Sequence, residues 1–511
     1  MRVHDLLDHW AARHPDEVYL SDGERELTWR EVREWSCRIG HWLASRLEPG
    51  ERFALLDRNS LEMIAIYFGA SRAGVVPVPL NFRLAPAEWE FIVTDAGCAL
   101  AVVHGDYEDA LAAVAPDRMA VVTIDGDGTR PDFATEVAGH PGTDLDRDVS
   151  PDAVFHQMYT SGTTGQPKGA LVSQLAVCLN AIQFHAGLEA VRVSSLCTMP
   201  LFHAGAEVSV FAFTVGGCSI RVLRDFDPAT TLRILAEDRI RTTGLAPAMI
   251  QAMIAHPLAK ELSFDDLDLI VYGSAPIAGE VLALAMELFE CDFAQAYGMT
   301  ELSAVATMLS RSDHVVALRH HRELLTSAGR PVLGTQVRIV DEDDQELPWG
   351  STGEVVVRGP QLMSGYWQQE EATAAALRGG WMHTGDVGHL DRDGYLFVSD
   401  RVKDMIISGG ENIYPRQIEE VLFELDGVAD AAVVGVPSSQ WGERPLAVVV
   451  RAPGSDLTES AVIDFCRERL ASYKCPSAVA FVDALPRNTV GKVLKRELRA
   501  PYWADLERSV N

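Results

Sequence analysis

One stretch of this chain decides its fold, and it reads Tyr159-Thr160-Ser161-Gly162-Thr163-Thr164-Gly165-Gln166-Pro167-Lys168-Gly169-Ala170. Glycines and hydroxyl side chains dominate the stretch, and it contains one lysine. Backbone N–H groups in glycine-rich loops, together with hydroxyls, suit the binding of phosphate oxygens. Its last residues run straight into an apolar segment, which indicates a turn feeding a strand rather than a flexible linker. The stretch therefore predicts a nucleotide-phosphate site.

The stretch is not a P-loop of the Walker type. That motif needs Gly-Lys followed by Ser or Thr, so that a hydroxyl reaches Mg²⁺. Here Pro167 precedes Lys168 and Gly169 follows it. P-loop kinases and GTPases are therefore disfavoured.

Length and composition limit the number of domains, the class of partner and the location that we expect. At 511 residues the chain exceeds the usual size of one domain. The net charge of −29 argues against nucleic acid as a partner, because a duplex binder needs a basic surface. The first residues lack the apolar core of a signal peptide, and charged residues or proline interrupt the apolar runs well short of a membrane span. We therefore expect a cytoplasmic protein without an integral membrane segment.

Helix and strand patterns alternate along the N-terminal part. Segment 29–44 has helical periodicity, and the apolar runs 53–56 and 75–80 resemble strands, which together indicate parallel-type sheets with covering helices. The polar stretch 125–152 is typical of a loop. Segment 268–272 is typical of a buried strand followed by turn residues, and ligands of open α/β sheets bind beyond such strand ends.

The C-terminal part has a different pattern. β-Branched residues alternate with polar residues and glycine over 338–357 and 394–398, which indicates antiparallel strands. After residue 400 a compact unit of strands and amphipathic helices follows, with helices predicted over 415–425 and 459–470. The pattern places a domain boundary near 401–403.

Eight further segments occur in the order typical of one family. With the phosphate stretch they resemble the adenylate-forming superfamily, which contains acyl-CoA synthetases, adenylation domains of peptide synthetases and beetle luciferases. The segments are Tyr272-Gly273-Ser274-Ala275-Pro276, Tyr297-Gly298-Met299-Thr300-Glu301, Gly353-Glu354, Gly365-Tyr366-Trp367, Thr384-Gly385-Asp386, Asp400-Arg401-Val402-Lys403-Asp404, Ser408-Gly409-Gly410-Glu411-Asn412-Ile413 and Pro486-Arg487-Asn488-Thr489-Val490-Gly491-Lys492.

The resemblance implies a mixed α/β fold with two domains. The large N-terminal domain, residues 1–400, would contain parallel-type sheets with covering helices and a β-barrel-like part. A hinge at 401–404 would join it to a small, mobile α+β C-terminal domain, residues 405–511. Lys403 matches the hinge position.

The resemblance also implies the ATP-binding residues. The β and γ phosphates would be held by Thr160, Ser161, Gly162, Thr163, Thr164, Gly165 and Lys168. The adenine segments would be Gly273, Ser274, Ala275 and Pro276, with Tyr297, Gly298 and Met299. Thr300 would contact the α-phosphate, and Glu301 would help to bind Mg²⁺, which prefers oxygen ligands. Asp386 would bind the ribose hydroxyls, and Arg401 would lie near ribose and phosphates.

The implied reaction has two steps. A carboxylate attacks the α-phosphorus of ATP and expels diphosphate, which depends on positioning and on neutralising charge; Lys492 would bridge the carboxylate and the α-phosphate. Coenzyme A then attacks the acyl carbon after the C-terminal domain has rotated. Rotation would bring Ser408, Gly409 and Gly410 to the tunnel for its thiol arm. Trp441 would flank that tunnel, with an ordinary packed tryptophan as the alternative. We predict that Lys492→Ala stops the first step and spares the second.

The segment Pro200-Leu201-Phe202-His203-Ala204-Gly205 resembles the part that opens the acyl pocket. Amino-acid-activating domains carry Asp near this position, so His203 argues against an α-amino acid. His203 would orient the carboxylate or gate the pocket. The expected lining has no Arg or Lys, which predicts a fatty chain of medium or long length, or a bulky aromatic or alicyclic acid: Phe202, Val208, Phe211, Ala246, Pro247, Met249, Ala275, Ala296 and Gly298.

Two nearby residues qualify this prediction. We interpret Glu207 as a structural residue, with contact to a polar substituent of the acid as the alternative. Gln174 stands where the family commonly has His, which affects fine positioning rather than the reaction class.

The sequence thus predicts an acyl-CoA synthetase that uses ATP, Mg²⁺, coenzyme A and a small carboxylic acid, with a homodimer left open. The nearest alternative is an acyl-AMP ligase that loads a carrier protein. A luciferase-like oxygenase is less favoured. The alternative of another class is an inactive nucleotide-binding or interaction protein on the same scaffold, which the joint presence of Thr300, Glu301, Asp386, Arg401 and Lys492 disfavours.

Overall fold

The computed structural model describes residues 1–160, 167–188, 190–275, 277, 279–401, 404–408, 411–438, 441–487 and 493–503, with the backbone alone at 400, 401, 411 and 412. The chain forms two compact units. The first contains residues 1–274, 283–337 and 357–383, and the second contains residues 275–282, 338–356 and 384–511.

A nine-stranded sheet is the largest element of the first unit. Its central strands run parallel, and two antiparallel strands complete one edge. Their apolar side chains are almost all buried, as expected for a sheet covered on both faces. Across the sheet the strands are Arg330–Pro331, Thr307–Leu309, Asp292–Tyr297, Leu269–Gly273, Thr242–Leu245, Ser194–Cys197, Ser219–Val222, Val18–Ser21 and Glu26–Thr28.

Two smaller sheets belong to the same unit. One is parallel, in the order Val76–Pro79, Arg52–Leu56, Leu100–His104 and Ala120–Ile124. The other is antiparallel, in the order Gly365–Tyr366, Lys168–Ser173 and Val154–Thr160. The antiparallel sheet contains both ends of the phosphate stretch.

Two sheets account for most of the second unit. A four-stranded sheet has the order Gln336–Val340, Gly353–Arg358, Met382–Leu390 and Leu396–Arg401. A five-stranded sheet has the order Glu411–Ile413, Ile406–Ser408, Gly442–Arg451 and Val428–Ser438, with Ala478–Val482 parallel to Gly442–Arg451. Apolar clusters on this sheet, around Val433 and Val449 and around Val434 and Val448, form the core of the unit.

The helices follow the expected capping rules. Helix Trp29–Ala44 begins after Thr28, whose hydroxyl accepts the N–H of Glu31 while the Glu31 carboxylate accepts the N–H of Thr28. No described helix is both long enough and apolar enough to span a membrane. The helices are Val3–Arg13, Trp29–Ala44, Leu61–Ala73, Pro86–Ala96, Glu108–Ala112, Phe133–Ala138, Gln174–Leu188, Ala204–Val215, Pro228–Glu237, Pro247–Ala255, Gly279–Phe289, Arg311–His320, Glu370–Ala376, Pro415–Phe423, Glu459–Arg467 and Lys495–Trp503.

The predicted fold class is confirmed, with one local correction. The stretch 125–152 is not entirely loop, because it contains the helix Phe133–Ala138. The Asp132 carboxylate caps this helix by accepting the N–H of Thr135 at 2.8 Å, and Phe133 and Val137 are buried. Two buried side chains in so short a helix give too weak a periodicity to be detected among polar residues.

Candidate active site

Four neighbouring parallel strands of the nine-stranded sheet end beside the expected site segments. Their order is Asp292–Tyr297, Leu269–Gly273, Thr242–Leu245 and Ser194–Cys197. Because parallel strands have their carboxyl ends at one edge of the sheet, the segments that follow them emerge together. Following these strands are Thr300 and Glu301, Ser274, then Ala246, Pro247 and Met249, and finally Phe202 and His203. The sheet topology therefore brings the adenine segments and the acyl segment to one edge.

The antiparallel sheet holds the two ends of the phosphate stretch next to each other. Thr160, at the end of strand Val154–Thr160, pairs with Lys168, at the start of the next strand. The two ends of the stretch therefore lie opposite each other. The intervening Ser161, Gly162, Thr163, Thr164 and Gly165 lie outside the described residues, so their phosphate-binding role stays a prediction.

Glu301 lies beside the strand end at Thr160, on a short 3₁₀ turn from Thr300 to Leu302. Its carboxylate is 5% exposed and accepts the phenol O–H of Tyr366 at 2.8 Å and the hydroxyl of Thr160 at 3.4 Å. The Lys168 ammonium lies 5.2 Å from the centre of the Tyr366 ring. The structure thus brings together Thr160, Lys168 and Glu301, and adds Tyr366, to which the sequence had assigned no role.

The electrostatics around Glu301 suit a divalent cation. Burial, then the charge of Glu301, raises the pKa of Tyr366 well above its usual range, so the phenol stays a donor. Within the part of the chain that the structure describes, no Lys, Arg or His forms an ion pair with Glu301. A buried carboxylate whose described hydrogen-bond partners are neutral hydroxyls fits Mg²⁺, which prefers oxygen ligands.

His203 occupies the residue before helix Ala204–Val215, and its main-chain N–H donates to the carbonyl of Pro200. Burial, and secondly the nearby guanidinium of Arg83, lower the pKa of His203 to about 4. The imidazole is therefore neutral at pH 7. Arg83 precedes helix Pro86–Ala96, and its guanidinium also lies over the ring of Phe82, 4.9 Å from the centre. The sequence reasoning missed this cation, because nothing in the pattern links residues 120 positions apart.

Helix Ala204–Val215 has two different faces, and the expected pocket lining stays a prediction. One face, with Ala206, Ser209, Val210 and Phe213, lines a small cavity together with Leu196, Cys197, Thr198, Met199 and Gly244. Phe211 instead lies in an aromatic cluster, with its ring centre 5.7–6.3 Å from those of Tyr67, Phe68 and Phe155. Val208, three residues before Phe211 and fully buried, belongs on that opposite face.

Glu207 also belongs to the face away from the cavity. Its carboxylate pairs with the imidazole of His156, and both side chains are almost fully buried. This agrees with the structural interpretation of Glu207. The alternative, contact with a polar substituent of the acid, is not supported by this placement. The partner His156 was not singled out from the sequence.

The adenine segments depend on two glycines at close backbone approaches. A Cβ on Gly273 would lie 2.6 Å from the carbonyl oxygen of Ala296, and one on Gly298 would lie 2.0 Å from that of Ala304. Any larger residue would push these segments apart. Phe202 packs edge-on against Phe82, with ring centres 5.5 Å apart. Ala246 and Pro247 are buried, while Met249 and Ala296 are half-buried. Tyr297 and Met299 flank Gly298 and are also half-buried.

The second unit contains the expected ribose and pantetheine residues. Asp386 is 7% exposed. Its backbone lies opposite that of Arg401 in the register of the antiparallel strands Met382–Leu390 and Leu396–Arg401. The main-chain N–H of Asp386 donates to the hydroxyl of Thr384 at 3.1 Å, which fixes the turn before it. Ser408 pairs with Gly442, and the neighbouring Trp441 is 42% exposed.

Several predicted residues cannot be placed. Pro276, Lys403, Gly409, Gly410 and Lys492 lie outside the described residues, and for Arg401 only the backbone is described. Their roles stay predictions.

Gln174, where the family commonly has His, has a defined structural task. It is fully buried, and its Oε1 accepts the N–H of Val3 at 3.0 Å and the hydroxyl of Ser71 at 2.8 Å. It joins the first helix to the segment that follows Lys168.

Comparison with known proteins identifies the family. Residues 7–367 match the AMP-binding enzyme family, and residues 417–492 match the AMP-binding enzyme C-terminal domain. The chain is 36% identical to the fatty acid–[acyl-carrier-protein] ligase ScoC of Streptomyces coeruleorubidus, over 95% of this chain and 94% of that protein. It is also 36% identical to a feruloyl-CoA synthase of an Amycolatopsis species, over 97% and 99%.

The fold is similar to a solved structure over the whole chain. ATP-bound MatB from Rhodopseudomonas palustris superposes with a TM-score of 0.89 at 29% identity, covering 99% of this chain and 100% of that one. The sequence resemblance is thereby confirmed: the chain belongs to the AMP-binding enzymes of the adenylate-forming superfamily, the ATP-dependent, AMP-forming acid ligases.

Proposed function

We propose that this chain is an acyl-CoA synthetase that joins an apolar carboxylic acid to coenzyme A through an acyl-adenylate, releasing AMP and diphosphate. The observation that carries the proposal is the cluster of Thr160, Lys168, Glu301 and Tyr366 beside the strand ends that lead to His203. It combines a phosphate-binding hairpin and a cation-binding carboxylate with an acyl segment at one edge of one sheet.

In the first step the chain would act by positioning and by charge. Thr160 and Lys168 would hold the phosphates, and Mg²⁺, held by Glu301, would neutralise part of their charge when bound. His203, neutral at pH 7, can donate a hydrogen bond from its N–H to the substrate carboxylate without adding charge. Lys492 would bridge the carboxylate and the α-phosphate, as the resemblance implies.

In the second step the acceptor would be free coenzyme A. Rotation of the C-terminal domain about Lys403 would withdraw Lys492 and bring Ser408, Gly409, Gly410 and Trp441 to the thiol arm. The Lys492→Ala variant is expected to lose adenylate formation by 10²-fold or more while keeping thioester formation from preformed acyl-AMP (about 10²–10³ per lost charge stabiliser). Equal loss of both half-reactions would refute this division of labour.

The acid would be apolar. None of the residues predicted to line the acyl pocket is Lys or Arg. A second carboxylate on the substrate would be buried there without a partner. The relatives named for a fatty acid and for ferulate agree with either a fatty chain or a bulky aromatic acid.

The second candidate is an acyl-AMP ligase that loads a carrier protein, which the relative named as a fatty acid–[acyl-carrier-protein] ligase favours. An inactive binding protein remains the candidate of another class. A cytoplasmic location and a homodimer stay predictions.

One screen separates these candidates. Straight-chain acids from butanoate to palmitate, together with benzoate, cinnamate, succinate and glycine, are tested for acid-dependent exchange of diphosphate into ATP. The acid that reacts fastest is then offered coenzyme A or a phosphopantetheinylated carrier protein. We expect exchange with apolar monocarboxylates and transfer to coenzyme A. A preference for succinate or glycine would overturn the acid, transfer to the carrier alone would overturn the acceptor, and no exchange would overturn the function.

A further inference from the structure

A buried imidazole–carboxylate pair lies behind the acyl helix. The Nδ1 of His156 is 3.1 Å from Oε1 of Glu207, which forms the hydrogen bond, and 2.8 Å from Oε2. Both side chains are at most 1% exposed. The other ring nitrogen of His156, Nε2, has no hydrogen-bond partner in the described part of the protein. The two residues are therefore each other's main polar contact.

The surroundings of the pair are apolar and aromatic. Phe155 lies 5.5 Å from the His156 ring, and the fully buried Tyr67 is close enough to Glu207 for the carboxylate charge to help raise the pKa of its phenol, after burial. Among the described residues no Lys or Arg pairs with Glu207. Burying two polar side chains costs desolvation, and apolar residues of similar size often give equal or higher stability. Stability alone therefore does not account for an imidazole–carboxylate pair here.

The pair joins two elements that the reaction must align. His156 is on strand Val154–Thr160, four residues before Thr160, where the phosphate stretch begins. Glu207 is on helix Ala204–Val215, one turn after His203, where the acyl segment begins. The imidazole–carboxylate pair is thus a side-chain link between the ATP-binding strand and the acid-binding helix.

Neutral hydrogen bonds hold the segment before this helix as well. Asn59 accepts the N–H of Leu201 at 2.8 Å and donates to the carbonyl of Met199 at 3.0 Å. Tyr67 donates its phenol O–H to the carbonyl of Leu201 at 2.9 Å. These bonds fix the backbone before His203, while the His156–Glu207 pair fixes the helix after it.

We propose that His156 and Glu207 are positioning residues for adenylate formation: their pair sets the acid-binding helix against the phosphate-binding strand. The inference rests on the proposed function. In-line attack requires the acid and the α-phosphate to be aligned, and a misplacement of about 1 Å can cost about 10²-fold in rate. Each substrate binds to its own element, so loss of the pair lowers the rate more than it weakens binding.

The test replaces both partners at once. The double variant His156→Leu with Glu207→Leu keeps the site filled by apolar side chains, so the thermal midpoint should equal or exceed that of the wild type. Acid-dependent exchange of diphosphate into ATP, with octanoate or cinnamate as the probe acid, should fall about 10- to 100-fold at saturating substrates. The KM values for ATP and acid should change by less than about threefold.

Two further variants complete the design. Glu207→Gln preserves the acceptor for the His156 N–H, so most of the exchange rate should be retained. Tyr19→Phe removes another buried hydrogen bond of the same helix, from the Tyr19 phenol to Thr214 at 2.6 Å, at the end far from His203. This matched control should leave exchange within about twofold of the wild type.

Three results would overturn the inference. The first is full exchange by the double variant. The second is loss of exchange together with a fall in thermal midpoint, which would assign the pair to stability. The third is an equal loss in the Tyr19→Phe control. A wild type without exchange for any acid would overturn the proposed function, and the inference with it, which distinguishes that failure from the others.

Discussion

Two buried carboxylates of the first unit have opposite surroundings. Glu207 is 1% exposed, lies among aromatic side chains, and has the imidazole of His156 as a partner that can be cationic. Glu301 is 5% exposed, and its described partners are two hydroxyls, from Tyr366 and Thr160. Burial is nearly equal, but among the described residues only Glu207 is paired directly with a basic side chain.

The difference indicates whether a buried carboxylate has a structural or a ligand-binding role. A carboxylate that is already hydrogen-bonded to a basic side chain within the fold is not available to a ligand, so its role is structural. A carboxylate held by neutral donors retains its charge for an external cation. On this reasoning we propose Glu207 as a positioning residue and Glu301 as a ligand-binding residue.

The largest expected effect is on Glu301. Glu301→Gln keeps an acceptor for the Tyr366 phenol but removes the charge, so adenylate formation should fall about 10²- to 10³-fold, as is typical when one charge-stabilising group is lost. The measurement is exchange of diphosphate into ATP as a function of Mg²⁺ concentration.

The matched control for this variant is Tyr366→Phe. It removes one hydrogen bond to Glu301 and leaves the charge in place, so its exchange rate should fall by no more than about tenfold (about 1 kcal/mol for one hydrogen bond). Similar losses in the two variants would contradict the role of the Glu301 charge.

The next effect is on the stability of the Glu207 site. Glu207→Leu alone leaves the Nδ1–H of the buried His156 imidazole without its acceptor, which should lower the free energy of unfolding by about 1–3 kcal/mol. Urea denaturation of the first unit, followed by tryptophan fluorescence, measures this. If Glu301→Gln proved the more destabilising of the two, the contrast between the carboxylates would be wrong.

The smallest expected effect is on the pH dependence of stability, through the imidazole of His203. Because the pKa of His203 is about 4 in the folded protein and about 6.5 in the unfolded chain, only the unfolded chain binds its proton between these values. Stability is therefore complete above pH 6.5 and falls as pH is lowered towards 4. His203→Gln should lose less stability than the wild type over this window, by about 2 kcal/mol.

The measurement is the free energy of unfolding at pH 6.5 and pH 4.5 for both proteins. The pKa of His4 is also lowered to about 4, chiefly by burial, but His4 is present in both proteins and its contribution cancels. Parallel pH profiles would show that the pKa of His203 is not lowered by its surroundings.

Local signals made much of the fold predictable. The helix Trp29–Ala44 was predicted to the residue, because it has an amphipathic repeat. Segment 268–272 was expected to be a buried strand, and the structure has it at Leu269–Gly273. The helices expected at 415–425 and 459–470 are present but end at Phe423 and Arg467, two and three residues earlier.

The site was only partly predictable, for a physical reason. The phosphate stretch and Glu301 belong to contiguous motifs, so the sequence shows them directly. The hydrogen bond from Tyr366 to Glu301 spans 65 positions, and the link from His156 to Glu207 spans 51. Such pairs follow from the sheet topology, which no local periodicity encodes. For the same reason, helical spacing alone did not show that Phe211 packs away from the cavity.

The hydrogen bonds of Gln174 have a practical consequence for engineering the amino terminus. Val3 is fully buried, and its N–H donates a hydrogen bond to Oε1 of the buried Gln174. Trimming the first three residues would leave that oxygen short of a donor and expose a face of the first helix. An affinity tag is better appended before Met1, which is 45% exposed, than substituted for the residues that follow it.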